Sequence, residues 1–434
     1  MQFKKLIFIL SVFAVLLPSL AGAYPAELPR TGQSTCYANG VTVDCASTGQ
    51  DGELQAGVAL PDPRFTDRDD GTVIDNLTGL VWAKDANLMT TRDPEFDTDF
   101  DSGMYGQYAN DGRVTWQHAL DYIKKLNKEN YLNHNDWRLP NVNELGSLVH
   151  AGMYHPALAA HPFINVQSLG YWSSTSSAPW PVQWRASAAL IVDMDYGSIF
   201  YDLKSEPYSL VSPYYVWPVR SEPCGSSGNS TICLPRTGQT ECYNSFGLPI
   251  ICWGTGQDGE TRAGVALPHP RFTVKDAAVT DRLTGLVWAQ DANLMVTRDP
   301  DFDTDYTESQ DESPNDGQVK WLHALDYIKK LNSEKYLGYS DWRLPNRSEL
   351  LSLRDYAVPL SLAHYPFLNV KPGLFNLNTG ALGVINLERG YWSSTTVAPG
   401  YGAWDMIIKL GMLSNDSKGI SLFVWPVRTG QVGN

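Results

Sequence analysis

Five tryptophans recur in the same order in both halves of the chain: Trp82, Trp116, Trp137, Trp172 and Trp217 are answered by Trp288, Trp321, Trp342, Trp392 and Trp425. Near-identical phrases surround them. LTGLVWAKDANLMTTRD at 77–93 matches LTGLVWAQDANLMVTRD at 283–299, and HALDYIKKLN, DWRLPN, GYWSST and VWPVR each occur twice. A period of this length is far beyond a solenoid unit and fits a whole domain, so the chain reads as two copies of one domain.

The separation between matching residues stays near 206 from Leu28/Leu234 onward, jumps to 220 at Trp172/Trp392 and returns to 208 at Trp217/Trp425. Copy two therefore carries an insertion around Leu374–Glu388, and copy one has extra residues between GYWSST and VWPVR. Length varies most in loops, and loops on a rigid scaffold carry binding function.

Residues 1–23 read as a secretory signal: Lys4 and Lys5, an apolar run from Leu6 to Leu20, then Ala21-Gly22-Ala23 before a cleavage point at Tyr24. The first domain is placed at 24–220, a Ser/Gly-rich linker at 221–233 and the second domain at 234–434, each domain opening on a cysteine loop. LPRTG at 28–32 and 234–238 looks like a cell-wall sorting signal. It stands at the head of each repeat without a hydrophobic tail, so the structural reading is preferred. No later segment reaches the apolar length that spans a membrane. The expectation is an exported protein, periplasmic or extracellular.

All six cysteines (Cys36, Cys45, Cys224, Cys233, Cys242 and Cys252) lie in segments that precede the two repeated blocks. The matching places of Cys36/Cys45 and Cys242/Cys252 predict two short disulfide-closed loops, with Cys224–Cys233 stapling the linker. Zinc is the weaker reading, because no spacing is CxxC-like and His118/His323 is the one histidine shared between copies. The net charge of −14 becomes −16 without the two signal lysines. Such a chain disfavours nucleic acid and anionic membranes as partners.

Helical spacing of Trp116, Leu120, Ile123 and Leu126 predicts a helix from about Thr115 to Asn127, repeated from Trp321 to Asn332. Asn141 with Glu144, and Asn346 with Glu349, are capping boxes opening a second helix. LTGLVWA, GYWSST and VWPVR are short, aromatic or β-branched and bounded by Gly or Pro, which predicts strands. The class is α+β, with two helices and a mostly antiparallel sheet per copy.

These ordered phrases, TGLVW, HALDYIKKLN, DWRLPN-x-x-EL, GYWSST and VWPVR, resemble the domain family named after the C-terminal domain of the Legionella collagen-like adhesin. WRLP-x-x-x-E followed by YWSS is also similar to the core of C-type-lectin-like folds. The resemblance implies two tandem C-type-lectin-like domains and, from the adhesin relative, binding of sulfated glycans at a trimer surface. Formylglycine-generating enzymes share that core but rely on copper held by cysteines. Here no cysteine stands in the repeated core, so the enzyme reading loses its chemistry.

Candidate sites follow from what the residues offer. Asp93, Glu95, Asp97 and Asp99 alternate with Pro94, Phe96, Thr98 and Phe100, and Asp299, Asp301, Asp303 and Asp305 repeat the pattern. On an extended segment the four carboxylates share one face, an arrangement suited to Ca²⁺. The bland alternative is a solvated acidic strand with its phenylalanines packed inward. Asp136-Trp137-Arg138 and its repeat read as structural. His118/Asp121 and Ser173–Thr175 lack a nucleophile elbow, so no catalytic triad is drawn from them. Ligand contact is expected after GYWSST, from Trp180, Trp184 and Arg185 in copy one and Tyr401 and Trp404 in copy two. Trp404 aligns with Trp184 when counted from GYWSST, or with core position Leu190 when counted back from Gly411. The expected function is a non-enzymatic, adhesin-like binding protein whose partner is a glycan or a cell-surface protein, with oligomers allowed. A structural or protein-interaction module of the cell envelope is the alternative.

Overall fold

The computed structural model describes residues 26–97, 110–177, 187–204, 213–221, 232–303, 315–358, 366–371, 390–408 and 410–430. The signal segment, Asp99, Trp180, Trp184, Arg185, Cys224, Asp305 and the insertion near 374–388 lie outside the described residues.

Copy one opens on a hairpin of β1 (Cys36–Ala38) and β2 (Val41–Val43). It turns at Asn39-Gly40, both at positive φ, as the two-residue turn matched to strand twist requires. Helix α1 (Asp51–Leu54) precedes β3 (Phe65–Asp67), β4 (Thr72–Asp75) and β5 (Leu80–Ala83). Helices α2 (Leu88–Arg92), α3 (Trp116–Lys128) and α4 (Val142–Ser147) lead to the antiparallel strands β6 (Gly170–Ser176), β7 (Ala188–Asp193) and β8 (Ile199–Leu203). Finally β9 (Val219–Ser221) returns to β5.

Copy two repeats this with β10 (Cys242–Tyr243), β11 (Pro249–Ile250), α5 (Asp258–Thr261), β12 (Phe272–Lys275), β13 (Ala278–Asp281) and β14 (Leu286–Ala289). Helix α6 (Leu294–Arg298), β15 (Gln318–Lys320), α7 (Trp321–Ser333) and α8 (Arg347–Ser352) come next. The copy ends on β16 (Tyr391–Val397), β17 (Gly402–Ile407), β18 (Met412–Ser417), β19 (Ser421–Phe423) and β20 (Val427–Thr429). The class is α+β, as expected. Helices α1, α2, α5 and α6 go beyond the two expected per copy, because elements of four or five residues are too short to display a helical period.

Both capping boxes form: Asn141 accepts from the Glu144 amide at 2.9 Å, and the Glu144 carboxylate accepts from the Asn141 amide at 2.8 Å. That carboxylate also receives both terminal nitrogens of Arg138 at 2.6 Å, so the arginine of DWRLP is held inside the fold. Arg343 and Glu349 repeat the arrangement. All ten repeated tryptophans are at most 2% exposed. Trp217 packs edge-on against Trp82 and Phe163, and its indole donates to the Ala83 carbonyl at 2.9 Å. Trp425 does the same with Trp288, Phe367 and Ala289. The partner indoles of Trp82 and Trp288 are buried with their N–H groups unbonded among the described residues, so these aromatic pairs build a packed core rather than a ligand platform.

Two four-stranded sheets, β3-β4-β5-β9 and β12-β13-β14-β20, belong to one copy each. A third sheet, of order β15-β19-β16-β17-β18-β8-β7-β6, runs through both. The join is antiparallel and pairs Ile199 with Leu413. Register fixes the equivalence of the copies here: Trp172 faces Ile191 as Trp392 faces Asp405, and Leu190 faces Tyr201 as Trp404 faces Asn415. Trp404 is thus the counterpart of Leu190.

The leading segments are exchanged between copies. Gln33 of copy one bonds the backbone of Thr396 in both directions, at 2.6 and 2.7 Å, and Gln239 of copy two does the same with Ser176, at 2.5 and 3.0 Å. The Asp51 carboxylate accepts from Thr31 at 2.6 Å and from Thr395 of the other copy at 2.7 Å. Asp258 accepts from Thr237 and Thr175 at the same distances. Asn346 donates to Ala56, and Asn141 to Ala263. Each segment therefore docks on the strand that carries YWSST in the opposite copy.

Disulfides Cys36–Cys45 and Cys242–Cys252 close the two hairpins. Cys233 is also disulfide-bonded, and its expected partner lies outside the described residues.

Candidate binding site

The exchange brings a lysine of each copy under the hairpin of the other. Lys418, just past β18, sits with its ammonium 4.0 Å from the centre of the Trp321 ring and donates to the Tyr37 carbonyl at 3.3 Å. Lys204, past β8, is 4.3 Å from Trp116 and bonds the Tyr243 carbonyl at 3.3 Å. Neither has a carboxylate partner among the described residues. Burial pushes both ammonium groups down to about 7. Lys204 is fully enclosed, whereas Lys418 remains half-buried and opens onto a pocket.

That pocket, of about 570 Å³, is composite. Copy one contributes Asn39 from its hairpin turn; copy two contributes Lys320, His323, Tyr401, Ser417 and Lys418. Lys320 and His323 stand at the first turn of the thirteen-residue helix α7, whose dipole places its positive end there; the Trp321 amide is bonded to the Lys418 carbonyl at 3.3 Å. The described lining residues include no carboxylate, in a chain of net charge −14. Tyr401 is 70% exposed. Its place is set by two glycines: a Cβ on Gly40 would come within 2.3 Å of the Tyr401 ring, and one on Gly400 within 2.5 Å of the Tyr37 ring. The two tyrosines interlock across the copies, and only glycine leaves room.

The other expected ligand residues fare differently. Trp180, Trp184 and Arg185 lie outside the described residues. Trp404 is 1% exposed and stacks on the Arg347 guanidinium at 4.2 Å, so it presents no face to a ligand. The cause is the register of β17, which points this position inward as it does Leu190.

The acidic segment is not an extended strand. Pro94–Phe96 and Pro300–Phe302 are 3-10 turns, started by the proline whose fixed φ suits the first helical position. This breaks the period-two alternation among the described residues, on which a shared carboxylate face depends, while Asp99 and Asp305 lie outside them. Asp93 accepts from Lys125 at 2.6 Å and Tyr122 at 2.9 Å, and pairs with Arg92. Burial pushes its carboxyl up, but these hydrogen bonds outweigh it and hold the group below the usual carboxylate range. Asp299 repeats the set with Lys330, Tyr327 and Arg298. Asp97 and Asp303 accept from the amides of Gly112 and Gly317, while Glu95 and Asp301 fall inside the turns. Among the described residues no group of three or more His, Cys, Asp or Glu is placed to hold a metal ion. The calcium reading therefore loses the geometry on which it rested.

His118 and His323 pack on Phe96 and Phe302, with ring centres 4.6 Å apart. Ser173 and Thr175 are fully buried; Ser173 donates to the Leu190 carbonyl and Thr175 to Asp258. Sequence reasoning missed Lys320 and Lys418 altogether. The available signal was a lysine immediately after an equivalent strand in each copy, Lys204 and Lys418.

A family model described as the Lcl C-terminal domain matches residues 71–220 and 277–428, more than half of the chain. No curated protein and no solved structure matches. Both hairpins, and with them Asn39 of the pocket, fall outside the matched residues.

Proposed function

The chain belongs to the family of the Lcl C-terminal domain, and on that premise we propose an exported, non-enzymatic, adhesin-like surface protein that binds acidic glycans at the Tyr401 pocket. One observation carries the reading: the exposed Tyr401 ring stands over a cavity lined by Lys418, whose ammonium has no carboxylate partner among the described residues. An aromatic face stacks on the apolar face of a sugar ring at small entropic cost, while cations and a helix N-terminus attract carboxylate or sulfate. The net charge of −14 belongs to the chain as a whole, whereas Lys418 places a cation at the pocket itself. Trp180, Trp184 and Arg185 belong to the same proposal as copy-one contacts, as do the C-type-lectin-like fold of each copy and the repeat units 24–220 and 234–434.

A glycan array containing uronic and sulfated sugars tests it. Binding by the wild type that is lost in Tyr401→Ala and Lys418→Met is the expected result. A silent array together with capture of a defined envelope protein would move the reading to a protein-interaction module.

A further inference from the structure

The hairpins of the two copies share a disulfide and a fold but not a surface. In copy one the exposed places after the turn hold Thr42, Asp44 and Ala46; in copy two the same places hold Pro249, Ile251 and Trp253. Phe246, Leu248 and Ile250 join them, so a single short hairpin gathers a large share of the exposed apolar side chains, with Ile251 85% and Trp253 89% exposed. Monomeric proteins seldom leave such a patch open without a partner.

Three features identify the partner. Successive strand residues point to opposite faces, and in β11 both Pro249 and Ile250 are exposed, as are their neighbours Leu248 and Ile251. The tip is thus apolar all round, which suits a medium that surrounds it rather than a flat surface that covers one face. The amides of Phe246, Gly247 and Leu248, at the end of the hairpin, are also satisfied internally. Asn244 accepts from the amides of Phe246 and Leu248 through its side chain, at 3.0 and 2.9 Å, and from Gly247 through its carbonyl at 3.0 Å. Entry into hydrocarbon demands this, because an unpaired N–H is costly there. Finally, no residue from Cys242 to Gln257 is charged, although the chain as a whole carries −14. An uncharged tip on an acidic body complements an electroneutral lipid surface and is repelled from an anionic one.

We infer that the Phe246–Trp253 hairpin tip of copy two is a membrane anchor that inserts into the interfacial region of a zwitterionic lipid bilayer. Trp253 stands beside the Cys242–Cys252 disulfide and Gly254, where the tip meets the polar body, a place suited to an aromatic ring at headgroup level. The hairpin of copy one, with Asp44 in the place of Ile251, stays in water.

Flotation of the full chain with phosphatidylcholine vesicles provides the test. Wild type is expected to float with the vesicles, less so when anionic phosphatidylglycerol is mixed in. The double substitution Ile251→Ser with Trp253→Ser is expected to weaken the partition by tenfold or more, whereas Val41→Ser in the other hairpin leaves it unchanged. Both substituted side chains are solvent-exposed, so an unchanged melting temperature certifies that the double variant is folded. Wild type that stays at the bottom of the gradient overturns the inference. So does a patch consumed by self-association, seen in sedimentation as a dimer that the same double substitution dissolves while vesicles bind neither form.

Discussion

Ile199 of copy one pairs directly, strand to antiparallel strand, with Leu413, the residue that holds the same place in copy two. A residue facing its own counterpart marks a local two-fold axis, so the chain is built as a symmetric dimer is built, with both protomers on one polypeptide. Both side chains are buried at that join.

The exchanged segments turn this symmetry into a prediction. Residues 24–233 produced alone keep the Thr175 and Ser176 docking strand but lose the covalently attached segment 234–267 that fills it. Two such chains can fill each other's strands with their own leading segments. Light scattering after size-exclusion chromatography is expected to show a dimer, and a stable folded monomer would contradict the exchange.

Asp51 and Asp258 give the join a pH dependence. Burial lifts both carboxyls from 3.8 to about 6, against the hydrogen bonds of two threonines each. The folded state therefore holds protons that the unfolded state releases above about pH 4. Stability falls as pH rises from there through 6, then levels off. A carboxyl displaced this far costs about 3 kcal/mol at neutral pH as an order of magnitude. Denaturation at pH 5 and pH 7.5 should show Asp51→Asn with Asp258→Asn gaining on the wild type at the higher pH; an equal response at both would remove this assignment.

Gly40 is held at φ +77° under the Tyr401 ring. Gly40→Ala is expected to lose about 1–2 kcal/mol from the left-handed backbone alone, and more from the ring. Adding Tyr401→Ala should restore the steric part and leave the backbone part, which urea titration of the three proteins separates.

Tyr401, in the turn, and Trp404, in β17, should behave as opposites. Trp404→Ala empties a core position and leaves Arg347 without its ring, at a cost of about 3–5 kcal/mol. Tyr401→Ala should cost about 1 kcal/mol or less while abolishing glycan binding. Equal stability losses would place both residues in the core.

Lys418 ties binding to acidity. Burial brings its ammonium down to about 7, so the pocket carries this charge at pH 6 and has largely lost it at pH 8. Affinity for an acidic glycan is expected to drop severalfold across that interval in calorimetry. Lys418→Arg should flatten the profile; a wild-type profile already flat would detach Lys418 from the ligand.

Much of this protein was legible in its residues. Duplication, the α+β class, the helices opening at Trp116 and Trp321, the capping boxes at Asn141 and Asn346 and the Cys36–Cys45 and Cys242–Cys252 loops all depend on neighbours within an element or a turn, and near-neighbour patterns survive in sequence. The acidic run misled because Pro94 and Pro300 start a turn that a period-two pattern cannot register. Trp404 stayed open between two alignments until strand register closed it. The recurring tryptophans set the scaffold by themselves; where they sit was settled by the sequence. Only the tertiary structure decided that each leading segment crosses to the opposite copy, and hence that Asn39 meets Tyr401 and Lys418 in one pocket. The reason is the duplication itself: both copies carry the same TGQ segment and the same threonine-bearing strand, so local pairing and exchanged pairing are written identically along the chain and differ only in space.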